Sequence, residues 1–127
     1  MNLNTALFYL TFSCHPLTFP QHNAGVGQMV CHTTELSDEE WDRVIGITLT
    51  GTFYCCRAAG GIMERQERGK IINIASINGQ NPAALVASYN VAKAGVIHLT
   101  RNLALEVSTT SSMPLLASYG SLLTVTS

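Results

Sequence analysis

GKIINIASINGQNPAALVASYNVAKAGVIHLTRNLALEV, from Gly69 to Val107, contains the change of period on which the fold turns. Ile71-Ile72-Asn73-Ile74-Ala75 is a short apolar run of the kind buried in a parallel sheet. Gly79 and Pro82 interrupt any regular period, so residues 77 to 88 read as a loop. From about Ser88 to Val107 the residues Val91, Ala94, Gly95, Ile97, Leu99, Leu103 and Leu105 supply the apolar faces of a helix.

Upstream of this stretch the signals are again helical. Ser37-Asp38-Glu39-Glu40 has the form of a capping box, with Ser37 as cap and Glu40 three positions on. Trp41, Val44, Ile45, Leu49 and Phe53 follow at helical spacing and predict one apolar face. The helix extends to about Glu67 and ends at Gly69, and Gly51 within it permits close packing. Helix, strand, helix is the order of a parallel sheet covered by helices. The fold class is therefore α/β: an incomplete Rossmann-like, doubly wound parallel sheet, with one strand between two long helices.

Three zones divide the chain. Residues 1–21 are an atypical N-terminal segment, apolar and Thr-rich, with Pro16 and Pro20. Residues 22–107 carry the α/β pattern, and residues 108–127 form an uncharged tail, half of it Ser or Thr, in which Leu122 to Val125 has strand character. A length of 127 residues suits one modest domain. Charged residues make up 12% and the net charge is −1, which gives no footing for a nucleic-acid partner. No apolar stretch is long enough for a bilayer span. No basic residue precedes Arg43, so the apolar start lacks the n-region of a secretory signal. Cys14, Cys31, Cys55 and Cys56 show no C-x-x-C spacing. Adjacent Cys-His pairs at 14–15 and 31–32 fit tetrahedral zinc poorly, so no metal is expected. Reduced thiols in a cytoplasmic protein are the expectation.

Tyr89 and Lys93 are four apart on the second helix and share a face. Such a pair on its own is ordinarily a surface contact. A tyrosine at its ordinary pKa of about 10 is a poor proton carrier at neutral pH, and a neighbouring ammonium favours its phenolate. Ser76 stands at the strand end, where open α/β sheets bind ligands, although a lone serine there is ordinarily a loop cap. Together the three suit interconversion of an alcohol and a carbonyl, with a cofactor carrying hydride.

Six segments in order strengthen this reading: Asn23-Ala24-Gly25, Trp41-Asp42-Arg43-Val44, Leu49-Thr50-Gly51-Thr52-Phe53, Gly69 to Ser76, Tyr89-Asn90-Val91-Ala92-Lys93-Ala94 and Leu103-Ala104-Leu105-Glu106. With them, residues 22–107 resemble the short-chain dehydrogenase/reductase family, and Ser76 precedes Tyr89 by the family's 13 positions. The resemblance implies that Tyr89 is the general acid/base. It implies that Lys93 favours the Tyr89 phenolate and binds the nicotinamide ribose, and that Ser76 orients the substrate carbonyl. Asn23, Ala24 and Gly25 would lie beside an NAD or NADP cofactor. Uncharged Ala83-Ala84-Leu85-Val86 would face a small alcohol or carbonyl substrate. The helices at 38–67 and 88–107 would form homo- or hetero-oligomer contacts.

The sequence departs from the family pattern in four places. Thr48 stands where the family carries an Asn that stabilises a helix kink, so an impaired proton relay is expected. His22 replaces a frequent Asn. The glycine-rich cofactor turn T-G-x-x-x-G-x-G has no counterpart before Asn23, and the two prolines argue against a central strand there. No Pro-Gly turn follows Glu106. The expectation is a partial family member with exposed apolar surface and marginal stability. Its alternative function is that of a non-catalytic remnant acting through a full-length relative.

Overall fold

The computed structural model describes residues 21–22, 25–66 and 71–109. Asn23, Ala24, Gly69, most of the N-terminal segment and the tail beyond Thr109 lie outside these residues. Two strands, β1 (Gln21–His22) and β2 (Ile72–Asn73), form a parallel pair, with Gln21 opposite Ile72 and His22 opposite Asn73. The sequence predicts no strand beside Pro20, yet β1 begins immediately after it. Proline removes only its own N–H, so Gln21 and His22 keep their ladder donors. The expected strand Ile71–Ala75 is paired over Ile72–Asn73 alone.

Parallel strands need a long crossover. Here it is helix α1 (Asp38–Ile45), a π-helical turn (Gly46–Thr50) and helix α2 (Gly51–Gln66). Ser37 caps α1, its Oγ accepting from the Glu40 N–H at 3.2 Å. The Glu40 carboxylate binds Met29 N–H and Arg43 in place of closing the capping box.

The π turn changes the predicted helix. The Gly51 N–H reaches back five residues to the Gly46 carbonyl. One extra residue rotates every later side chain by about 100° relative to a regular α-helix. The predicted apolar face therefore breaks after the turn: Val44 is buried, but Phe53 is 40% exposed; Trp41, ahead of the turn in α1, is exposed as well. The buried stripe of α2 is Thr52, Cys56, Ala59 and Met63.

Helix α3 (Ala87–Thr109) follows β2 and a 3-10 turn at Ile77–Gly79. Its core face is Ser88, Ala92, Lys93 and Val96, while Val91 and Leu105 face outward. Two glycines set how closely it packs. A Cβ on Gly79 would lie 2.8 Å from the Lys93 backbone, and one on Gly95 would lie 2.7 Å from Leu49 Cδ2. A buried polar chain joins the layers: Cys56 Sγ donates to Asn73 Oδ1 (3.3 Å), and Asn73 Nδ2 donates to Thr100 Oγ1 (2.9 Å). Such chains cost little only when every member is paired, and this one fixes β2 between α2 and α3.

The core is small. Its fully buried apolar members are Val44, Cys56, Ala59, Met63, Ala92 and Val96. Among the described residues Phe53, Tyr54, Val91 and Leu105 remain on the surface. Arg57 covers part of this face, its guanidinium 5.2 Å from the ring centres of both Phe53 and Tyr54. No described helix is long and apolar enough to cross a membrane.

Candidate active site

The loop after β1 and the start of α3 enclose a cleft of about 490 Å³, lined by Gly25, Val26, Gly27, Gln28, Asn78, Val86, Tyr89 and Lys93. Tyr89 and Lys93 sit one turn apart on the same wall, the Lys93 Nζ 5.8 Å from the Tyr89 ring centre. Lys93 is only 6% exposed. Its Nζ donates to the Ile74 carbonyl at the end of β2 (3.0 Å), which fixes the long side chain. Burial disfavours its ammonium and pulls its pKa below the ordinary lysine value. Among the described residues no carboxylate forms an ion pair with it.

Gly25 lies against Lys93. A Cβ there would be 3.4 Å from Nζ and 3.9 Å from Thr48 Oγ1. Without one, the ammonium is reachable from the cleft. The predicted site residues Gly25, Tyr89 and Lys93 thus converge. Ser76 is not among the lining residues; its Oγ caps the 3-10 turn by accepting from the N–H of Asn78, which does line the cleft, at 3.2 Å. Of the segment expected to face substrate, Val86 lines the cleft.

Thr48 is fully buried in the π turn. Its Oγ1 accepts from the Val26 N–H (3.3 Å), and its carbonyl accepts from Thr52 Oγ1 (2.6 Å). Thr48 thus ties the π turn to the cleft loop through its hydroxyl.

That loop is held at several points. Arg43 Nη2 donates to the Gly27 carbonyl (2.9 Å), and Met29 N–H donates to Glu40 Oε1 (2.9 Å). Glu40 is held down to about 2, first by its hydrogen bond from Arg43 and then by the one from Met29 N–H. Gln28 crosses to α3, where its Oε1 accepts from Ser88 N–H and Ser88 Oγ, both at 2.7 Å, and from Tyr89 N–H at 3.4 Å. Sequence reading passes over Gln28, because its partners are 60 and 61 positions away and no local pattern marks it. Among the described residues no cluster of three or more His, Cys, Asp or Glu could hold a metal.

A family model described as short chain dehydrogenase matches residues 16–112. Galactitol 2-dehydrogenase of Rhizobium johnstonii is 42% identical over 93 residues, which is 72% of this chain and 36% of the relative. NADP-dependent mannitol dehydrogenase of Hypocrea jecorina is 46% identical over 72 residues, 55% of this chain and 27% of the relative. A crystal structure of a short chain dehydrogenase from Bacillus anthracis superposes with a TM-score of 0.75 at 28% identity, covering 87% of this chain and 46% of that one. The chain thus spans less than half the length of each of these three proteins.

Proposed function

The chain belongs to the short-chain dehydrogenase family, and from that premise we propose that it carries the proton-transfer side of an NAD- or NADP-linked alcohol–carbonyl interconversion. The observation that carries this reading is the meeting of Tyr89 and buried Lys93 on one cleft beside Gly25. Tyr89 takes the hydroxyl proton of an alcohol at its phenol oxygen, or returns it to a carbonyl oxygen. Lys93, anchored by the Ile74 carbonyl, sets a positive charge beside that oxygen and offers its remaining N–H groups to a ribose hydroxyl. Ser76 accepts from Asn78 N–H, so its own proton is free to polarise the substrate oxygen.

The residues present fit the nicotinamide-ribose end of a dinucleotide. Gly25 and Gly27 leave that wall without side chains, and the Cβ missing at Gly25 opens Lys93 to the cleft. Bound there, a nicotinamide supplies the hydride chemistry. The galactitol and mannitol dehydrogenases among the relatives suggest a small polyol as substrate. The reading places the chain in the cytoplasm, in keeping with free Cys31, Cys55 and Cys56.

The test is Tyr89→Phe against the wild-type chain, with polyols and either nicotinamide cofactor, followed by cofactor absorbance. Turnover falls at least about 100-fold if Tyr89 moves the proton; equal turnover refutes that role. A second reading rests on exposed Phe53, Tyr54, Val91 and Leu105, which suit pairing with another family chain through α2 and α3. It predicts a dimer by light scattering that Phe53→Lys disperses, with no turnover in either form.

A further inference from the structure

Helix α3 has no cap of its own. The Asn90 N–H donates to the Val86 carbonyl (3.0 Å), so Val86 occupies the position before the first helical residue. Valine has no side-chain oxygen to accept the free N–H groups of the first turn. Two of those groups belong to Ser88 and Tyr89, and Ser88 is fully buried, so water is a poor substitute. One oxygen takes both, the Oε1 of Gln28, which also accepts from Ser88 Oγ.

The other end of the same amide acts on the loop that leads into α3. Gln28 Nε2 donates to the Leu85 carbonyl (3.3 Å), which also accepts from Cys31 N–H (3.1 Å). Leu85 is the residue bent into the left-handed region, with φ 66°. A bulky side chain adopts that conformation only where its surroundings impose it. Gln28 therefore holds both the helix terminus and the strained residue just before it, while itself lining the cleft.

From this geometry we infer that Gln28 is a positioning residue for the proton-transfer site. It caps, across a gap of 60 residues, the helix that presents Tyr89, and so sets where the phenol sits in the cleft. The inference rests on the reading of Tyr89 as proton carrier only for its functional meaning. The cap itself stands or falls without it.

The experiment uses the full chain without cofactor, labelled with nitrogen-15 and fluorotyrosine, in wild-type, Gln28→Leu and Gln28→Glu forms. Leucine keeps the bulk and loses both hydrogen-bonding ends. Glutamate keeps an acceptor oxygen, and a negative charge at a helix N-terminus is favourable. In Gln28→Leu, the Ser88 and Tyr89 amides are expected to exchange on the order of five-fold faster relative to Val96, as for loss of a cap. The fluorine line of Tyr89, assigned by Tyr89→Phe, is expected to move or broaden. Gln28→Glu keeps the acceptor and loses the donor to Leu85, so it is expected to return the amide exchange toward wild type. Val96, buried in the same helix, reports folding, so general destabilisation is recognised by its own exchange. Unchanged Ser88 and Tyr89 exchange overturns the cap. Faster exchange with an unmoved Tyr89 line overturns the positioning role, and amide exchange that glutamate does not slow overturns the acceptor role of Oε1. Because neither readout uses turnover, a failure of proton transfer at Tyr89 is seen separately, in the Tyr89→Phe assay.

Discussion

Replacing Gly25 by alanine divides what the cleft needs from what the fold needs. The added methyl would meet Lys93 Nζ at 3.4 Å, Lys93 Cε at 3.8 Å and Thr48 Oγ1 at 3.9 Å. All three are van der Waals distances, so nothing must move to admit it. Gly25 is also exposed and not in the left-handed region, so alanine suits its backbone. Stability should be unchanged or rise by about 0.4–1 kcal/mol, since alanine restricts the unfolded chain. Access to the ammonium is a different matter. A ligand oxygen must approach that nitrogen to about 2.7–3.2 Å, and the methyl stands against the side that Gly25 leaves open. A charge-assisted hydrogen bond contributes about 1.5–3 kcal/mol, so losing it weakens binding roughly 10- to 150-fold. Urea denaturation measures the first quantity and fluorescence titration with NADH and NADPH the second. Reductive methylation of Lys93, read by peptide mass, gives access without any cofactor and should slow in Gly25→Ala. A stability loss above about 1 kcal/mol would refute the steric argument. Unchanged affinity together with unchanged Lys93 labelling would refute the claim that Lys93 is reached past Gly25.

Two further outcomes follow from packing and from charge. Gly79→Ala sets a methyl 2.8 Å from the Lys93 carbonyl carbon and oxygen, which cannot rotate away, so a cost of about 1–3 kcal/mol is expected in urea denaturation. Gly95→Ala meets only the movable end of Leu49 and gains about 1 kcal/mol of helix propensity, so it should lie near neutral; equal costs for the two would contradict the distinction. Burial lowers the Lys93 pKa, so on approaching the ordinary value of 10.5 the folded chain binds fewer protons than the unfolded one. Stability gains a component that rises with pH between the lowered value and 10.5, and Lys93→Met removes it. Parallel pH profiles for the two chains would show that the ammonium is not penalised.

The helices on either side of β2 and the Tyr89–Lys93 pair were legible in the sequence because each depends on neighbours three or four positions away. Ser37 caps α1 as its spacing implies, and Tyr89 and Lys93 share a wall because one helical turn separates them. β1 was misread, since two prolines suggest a broken strand while the ladder asks only for the N–H groups of Gln21 and His22. The exposure of Phe53 was also out of reach. The π turn that rotates α2 bonds Val26 through Thr48 and sets Leu49 against Gly95 of α3, partners that no periodicity within 38–67 reveals.

The sequence by itself thus singled out Tyr89 and Lys93 as a candidate pair and gave a family resemblance over residues 22–107, which the family match over residues 16–112 bears out. Those follow from short-range spacing. Tertiary structure alone decided that Lys93 is buried against Ile74, that Gly25 keeps it reachable, and that Gln28 caps the helix carrying Tyr89. Each of these joins groups far apart in the chain, and a buried donor or acceptor reveals its partner only when folding brings the two within hydrogen-bonding distance.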